Sequence, residues 1–309
     1  MLRRKLGLVG SVTAVAALTV TMVSPAYADD DLADSAEAVA ATIEAAAPAT
    51  TDLSAPGAVD DGRLVTRVGE VESAVPLSSD GDVVVTKATA EGQQSASIEL
   101  PDELSVGDGV VAEDGTVVYA ANDSSGDAVA VQTLEDGSTR IQTVIGAAGS
   151  AHEFGYRMDG YQPYQSDTGE VIFLNEAGNY VPVAAPWATD AKGRAVQTRY
   201  EVRGDELFQL VTPDASTTYP VVADPSWIWN GPIWGMKLNR AETARVRDYA
   251  AALTMCGSFL KRLPRVAWAC AAFGGYMVAQ ANIAQGDSPK TCLFLTAAPV
   301  PGIIMRITC

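Results

Sequence analysis

The sequence predicts an all-β body, an antiparallel sandwich or a barrel-like assembly, followed by a small α+β C-terminal domain stapled by disulfides. Three observations carry that expectation. Short β-branched runs alternate with Gly/Asp turn pairs from Leu64 to Pro225, all four cysteines fall in the last 54 residues, and the charge changes sign just before them. Asp29 to Pro232 holds 9 Lys+Arg against 35 Asp+Glu, whereas Ile233 to Cys309 holds 9 against 3.

The N-terminus comes first. Met1-Leu-Arg-Arg-Lys5 is a positive head, Leu6 to Val23 is apolar and uncharged, and Ser24-Pro-Ala-Tyr-Ala28 offers small residues at Ala26 and Ala28. This is the pattern of a signal peptide over residues 1–28, cleaved between Ala28 and Asp29. An uncleaved anchor is the competing reading, because the apolar run is just long enough to span a bilayer. The A-x-A site and the acidic stretch behind it favour removal. The remaining 281 residues have room for two ordinary domains. In a secreted or extracellular chain, including one associated with the cell envelope, an even cysteine count reads as disulfides. The acidic balance excludes nucleic acid as a partner of the body, since phosphate binding needs clustered Lys and Arg.

Residues 29–62 read as an acidic, Ala/Pro-rich linker in which Asp34 to Ala47 forms a short, frayed helix. Residues 63–227 read as the antiparallel β domain. Its strand-length runs are Val83–Thr86, Ser97–Leu100, Thr116–Ala120, Ala128–Thr133, Arg140–Ile145, Val171–Leu174, Tyr180–Val183, Arg199–Val202, Leu207–Val211 and Tyr219–Val222. Between them stand Asp80-Gly81, Gly107-Asp108, Asp114-Gly115, Gly126-Asp127, Asp136-Gly137 and Gly204-Asp205. Gly and Asp tolerate the positive φ of tight hairpins, so the spacing predicts antiparallel neighbours. Pro220 and Pro225 confine the last run to a sheet edge and end it.

Residues 233–309 read as a β-α-α-β-β unit. Ile233 to Leu238 is a strand, and Asn239 with Glu242 forms a capping-box-like start for a helix from Arg240 to about Lys261. Pro264 suits the first turn of a second helix that runs to about Ala284 and stops at Gly286. Thr291 to Thr296 and Ile303 to Thr308 read as the closing strands. Cys256 and Cys270 are each seven residues from Leu263 at the helical turn, and Cys292 and Cys309 are symmetric about the centre of the final hairpin. Of three connectivities, these placements select Cys256–Cys270 and Cys292–Cys309. Each loop contributes about 3 kcal/mol in the chain-entropy picture, which matters for so small a core.

Chemistry-bearing motifs are scarce. The sole histidine, His152, lies in Gly149-Ser-Ala-His-Glu-Phe-Gly, neither a G-x-S-x-G elbow nor H-E-x-x-H. Carboxylates cluster in turns such as Asp80/Asp82 and Glu113/Asp114, where solvated turn acids are the ordinary outcome. No D-x-D-x-D-G run points to a calcium loop. Cysteine spacings of 13, 21 and 16 intervening residues do not suit zinc. No phosphate loop or dinucleotide fingerprint occurs, so no cofactor is called for. Val266 to Ala284 carries no charge and follows Lys261, Arg262 and Arg265. It reads either as a core helix of the stapled unit or as a segment that meets anionic membrane.

From His152 onward the chain resembles secreted proteins of unknown function from high-GC Gram-positive bacteria. The residues carrying this are Ala151-His-Glu-Phe-Gly-Tyr-Arg-Met, Ala185-Pro-Trp-Ala-Thr-Asp-Ala-Lys-Gly-Arg, Thr198-Arg-Tyr-Glu-Val, Thr218-Tyr-Pro-Val-Val-Ala-Asp-Pro-Ser-Trp227 and Leu238-Asn-Arg-Ala-Glu-Thr243. The Tyr-Pro-Val-x-x-Asp-Pro segment is also similar to a junction in secreted repeat-containing and polymorphic-toxin proteins. The resemblance covers about half the chain and implies export and a C-terminal module, but no activity and no catalytic residues.

The function expected from the sequence is therefore non-enzymatic: an extracellular or envelope-associated binding protein whose partner is a protein, a glycan or another envelope component. Trp187, Trp227, Trp229 and Trp234 are its candidate contacts, with interdomain packing as their alternative fate. A second class is a secreted, bacteriocin-like effector whose basic C-terminal helices act on membranes or a partner cell. A third is an extracellular hydrolase using carboxylates, for which Asp159, Glu170 and His152 are the residues to test.

Overall fold

The computed structural model describes residues 26–47, 52–89, 92–165, 169–175, 179–229, 234–258, 274–298, 303–307 and 309. It is mostly β, with several antiparallel sheets and few helices. Helix α1 (Ala26–Ala46) precedes a five-stranded meander of β1 (Ala58–Asp60), β2 (Arg63–Val68), β3 (Val71–Pro76), β4 (Val83–Thr89) and β5 (Gly92–Ile98). Of these the sequence runs named β4 and the last two residues of β5, Ser97 and Ile98. β2 and β3 alternate buried and half-buried residues, as a one-sided strand does, but Arg63, Thr66 and Ser73 blur that period.

The chain continues through β6 (Val110–Val111), β7 (Val117–Ala120), β8 (Ala128–Thr133), β9 (Thr139–Ile145), β10 (Glu153–Tyr156), β11 (Tyr161–Gln165), β12 (Val171–Asn175) and β13 (Tyr180–Val183). β14 (Ala188–Asp190), β15 (Gln197–Arg203), β16 (Glu206–Thr212), β17 (Val221–Ala223) and β18 (Ser226–Trp227) complete the body. β10, β16 and β15 make a small sheet. The others form a ten-stranded sheet with the path β11-β12-β13-β18-β9-β8-β7-β6, and β14-β17 attaches to β9. The β8–β9 hairpin shows how the Gly/Asp pairs act. Gly137 takes a φ of 84°, and the Asp136 carboxylate accepts the Ser138 amide at 2.7 Å.

The strand after Pro220 is not at an edge, contrary to the sequence expectation. β17 lies between β14 and β9, with Val222 opposite both Thr189 and Val144. β17 and β18 run along the same neighbour, β9, interrupted at Asp224-Pro225. The prolines fall just outside the pairing stretches, so neither removes a needed donor, and Pro225 contributes its carbonyl to the Ile141 amide at 3.0 Å.

The three sheets of the body share one core, including Val85, Ile98, Tyr119, Ile141, Phe154 and Trp227. β8 and β9 are buried on both faces because α1 covers the other side. Ala36 and Ile43 of α1 pack on Val118, Ala130, Val144 and Val222. The segment expected as a mobile linker is thus anchored, and its helix is longer than Asp34–Ala47. Alanines at helical spacing carry too little hydrophobicity to stand out in sequence, yet they let the helix approach the sheet closely. Beyond the helix, Asp52 pairs with the nearly buried Arg140, and Leu53 bridges Leu134. Ile43→Ala is expected to cost about 2–5 kcal/mol, the range for truncating a buried aliphatic side chain. Hydrogen exchange should then lose protection over residues 32–46; unchanged protection there would show that the docking is not real.

In the tail, β19 (Trp234–Lys237), β20 (Cys292–Ala298) and β21 (Ile304–Ile307) form an antiparallel sheet in the order given. The capping box is present: the Glu242 amide donates to Asn239 Oδ1 at 2.9 Å, and the Asn239 amide to Glu242 Oε2 at 2.8 Å. The single helix expected after it is broken into α2 (Arg240–Arg245) and α3 (Tyr249–Ser258). Asp248 is the reason, since its carboxylate takes the Ala251 amide at 3.0 Å and starts a new helix. α4 (Gly274–Gly286) buries Met277, Ala281 and Ala284 against Leu238, Leu293 and Leu295. Cys292 and Cys309 are disulfide-bonded, the pairing selected above for the final hairpin. The backbone of Cys256 falls in α3, but Cys270, its expected partner, lies outside the described residues, as do residues 1–25, Lys261, Arg262, Arg265 and the rest of the stretch 266–273. Among the described residues, no helix is long and apolar enough to cross a membrane.

Body and tail meet through apolar side chains. Successive residues of β12 point to opposite faces, so Val171 and Phe173 enter the body core while Ile172 and Leu174 pack on Ile303 and Met305 of the tail. The ion pairs seen between described residues each join groups of one half.

Candidate functional site

Beside that apolar seam runs an open groove of about 1040 Å³. One wall is the outer face of the β11–β12 hairpin. Gln162 and Tyr164 alternate onto it from β11, and Leu174 stands directly opposite Gln162. The other wall is α4, where Tyr276, Gln280 and Ile283 recur at i, i+4 and i+7, one helical face. The neighbouring face of α4, Met277, Ala281 and Ala284, is the one sunk in the tail core. Packing of that face therefore fixes the direction of the groove-lining one. Arg306 of β21 closes one side and pairs with Asp287 at 3.4 Å.

The described lining contains tyrosines, amides, aliphatic side chains and a guanidinium, and no Asp or Glu. Burial pushes the Tyr276 phenol up, and Tyr164 adds to this, while Arg306 and a hydrogen bond with Gln280 oppose it. The ring is thus neutral at physiological pH and sits close to side chains from both halves.

The residues singled out in the sequence lie elsewhere. His152 is half-buried, with Nε2 3.1 Å from the Tyr219 hydroxyl and the two rings edge to face. Asp159 is exposed on the turn before β11, and Glu170 precedes β12 at the other end of the same ladder. Five paired positions separate those ends, roughly 14 Å at the usual rise of a strand. That exceeds the ~5–9.5 Å between the carboxylates of glycoside hydrolases. Asp114 binds the Thr116 amide of its own turn at 2.8 Å, and Asp82 takes the Ser97 hydroxyl at 2.7 Å. Two of the four candidate tryptophans are not surface contacts: Trp227 and Trp229 are buried in the body core, while Trp187 is half-buried beside α1. The Trp229 indole donates to Thr139 Oγ1 at 3.0 Å. The backbone of Trp234 falls in β19.

No protein-family model, no curated protein and no solved structure matches this chain.

Two of the segments quoted from the sequence, 188–194 and 221–227, have structural work. In Ala188-Thr-Asp-Ala-Lys-Gly-Arg194, Asp190 accepts the amides of Lys192, Arg194 and Thr218 at 2.9, 3.0 and 3.2 Å. The Arg194 guanidinium forks onto the same carboxylate at 2.6 and 3.0 Å and reaches the Ser216 carbonyl. This clamp, led by the Arg194 bonds, holds the Asp190 carboxyl well below the usual carboxylate range. In Val221-Val-Ala-Asp-Pro-Ser-Trp227, the interruption at Asp224-Pro225 turns Asp224 inward. Its fully buried carboxylate takes the Ser226 hydroxyl at 2.6 Å and the Trp187 amide at 3.3 Å. Ser226 in turn accepts from Arg140 Nε at 3.4 Å. The buried chain from Asp52 through Arg140 and Ser226 to Asp224 ties the N-terminal segment to the last strands of the body.

A second, smaller cleft of about 500 Å³ is acidic, with Glu103, Asp123 and Asp127 on its wall. Each already accepts a backbone amide: Gly155 at 3.0 Å, Ser125 at 3.0 Å and Gly146 at 2.6 Å. Among the described residues, no three His, Cys, Asp or Glu side chains gather as metal ligands would. Of the two, the groove is the larger, and its described lining includes the exposed Gln162 and Ile283. The reading from sequence missed its residues because Gln162 and Gln280 are 118 positions apart. The available signal was the 276/280/283 stripe beside the 277/281/284 stripe on one helix.

Proposed function

We propose that the protein is a non-enzymatic extracellular or envelope-associated binding protein, with the groove between body and tail as its binding site. One observation carries this reading. An open groove is lined by Tyr164, Tyr276, Gln162, Gln280 and Asn175, which bring aromatic surface and amide donors and acceptors together, and among the described lining residues there is no nucleophile held by a base. The signal-peptide pattern and the Cys292–Cys309 disulfide support a site outside the cytoplasm, and the similarity to secreted proteins of high-GC Gram-positive bacteria fits it. In this reading the tail is a separate, disulfide-stapled unit whose role is to supply the second wall. Burial of one face of α4 in the tail core weighs against a membrane-active helix.

Retention of the mature chain on cell-envelope fractions tests the proposal. Gln162 is exposed and Gln280 half-buried, so the double replacement by alanine is expected to shift stability by no more than about 0.5 kcal/mol. Retention should nevertheless fall at least tenfold. Alanine at His152, Asp159 and Glu170 together should leave it unchanged. If Gln162→Ala/Gln280→Ala is retained like the wild type, the groove is not the binding site.

A further inference from the structure

We infer that the groove takes a chain of N-acetylated amino sugars, bound between Tyr164 and Tyr276. The inference rests on the reading of the groove as the binding site and adds the class of ligand. Sugar rings expose C–H faces that pack on aromatic side chains, and tyrosines from the two opposing walls line this groove. Hydroxyl groups need partners that both donate and accept. The exposed Gln162 offers an amide oxygen and an amide nitrogen, which also suit an acetamido group, while Asn175, whose Oδ1 takes the Asn179 amide at 2.8 Å, and Gln280, bonded to Tyr276, extend a polar network already in place. The exposed Ile283 adds aliphatic surface in the same groove, where an acetyl methyl can leave water.

Charge and shape narrow the class further. In a chain with a formal net charge of −17, the described lining is free of carboxylates. The charged side chain of that lining is the Arg306 guanidinium, which does not repel a neutral or weakly acidic ligand. A peptide added as a strand along β11 is disfavoured, because Pro163 in the middle of that edge strand has no N–H to give. The volume of about 1040 Å³ lies at the upper end of the ~300–1,000 Å³ typical of small-ligand pockets, and the groove is open. That suits several linked rings better than one.

Calorimetric titration of the mature protein with the β-1,4-linked tetramer of N-acetylglucosamine, and with the corresponding glucose tetramer, tests this. The acetylated tetramer is expected to bind, with the glucose tetramer at least tenfold weaker. Gln162→Ala and Gln280→Ala should each weaken the acetylated tetramer at least fivefold with unchanged unfolding midpoints. Equal binding of the two tetramers would overturn the amino-sugar assignment, and binding indifferent to both substitutions would overturn the site. If the acetylated tetramer fails to bind while retention on envelope fractions still depends on Gln162 and Gln280, the ligand is of another class, a peptide included. The amino-sugar inference then falls and the binding reading stands. If retention is also indifferent to both residues, both fall.

Discussion

Replacing Trp227 by alanine is expected to destabilise the protein by about 3–5 kcal/mol, the range for deleting a buried aromatic side chain. The indole is fully buried and meets Tyr156 edge to face at 5.6 Å between centroids. Its backbone pairs on one side with Thr139 of β9 and on the other with Val183 of β13, so the residue stands where two parts of the ten-stranded sheet join. Its Nε1 has no hydrogen-bond partner among the described residues. The cost is therefore one of volume, and Trp227→Phe should lose only about 1–2 kcal/mol, since removing an unpaired donor is nearly neutral. Urea unfolding checks both values. A midpoint for Trp227→Ala equal to that of the wild type would mean the sheet is joined by something else.

Stability is also expected to rise as the pH falls from about 7 to about 4, opposite to the usual behaviour of a protein rich in carboxylates. Burial pushes the Asp224 carboxyl up to about 7, against the Ser226 hydroxyl, the Trp187 amide and the Arg140 guanidinium, which lower it. A carboxyl that holds its proton more tightly when folded favours the native state on acidification. Its contribution is complete below the unfolded value near 4 and is lost as the pH rises through 7, on the order of 4 kcal/mol. Asp190 acts in the other sense. Its carboxyl is lowered, so what it contributes is present above about pH 4 and disappears in stronger acid. The two windows do not overlap. Asp224→Asn keeps one acceptor, for the Trp187 amide, and turns an amide N–H toward the Ser226 oxygen; it should flatten the slope between pH 4 and 7 while leaving the acid limb in place. Unfolding free energies at pH 5 and pH 8 are the measurement; a wild-type protein no more stable at pH 5 than at pH 8 removes the argument.

Much of the fold was legible because turns are local. Asp136-Gly137 and Asp114-Gly115 read as hairpins from four residues each, and glycines with positive φ stand at both. The Asn239/Glu242 capping box and the closing Cys292–Cys309 hairpin were legible for the same reason. What escaped depends on tertiary neighbours. Nothing near Ile43 says that a sheet face will cover it, and Pro220 and Pro225 spoke for an edge although the strand they flank is central. The tryptophans misled in a similar way. A large aromatic signals burial or contact equally well, and only the packing around Trp227 and Trp229 decides between them. The groove was hidden most completely, because its two walls belong to different halves of the chain.

The central place of β17 and β18 also orders events in time. β9 is made about 80 residues before the strands that cover its edge, and β13 reaches β9 only through β18. Until Trp227 has been synthesised, the main sheet exists as two unjoined pieces with open edges. A chain growing from its N-terminus therefore stays unclosed through nearly the whole of the body, and then shuts with a segment of seven residues, 221–227. Pairing over so long a sequence separation is slow, so closure of the body should be a late and distinct step in folding.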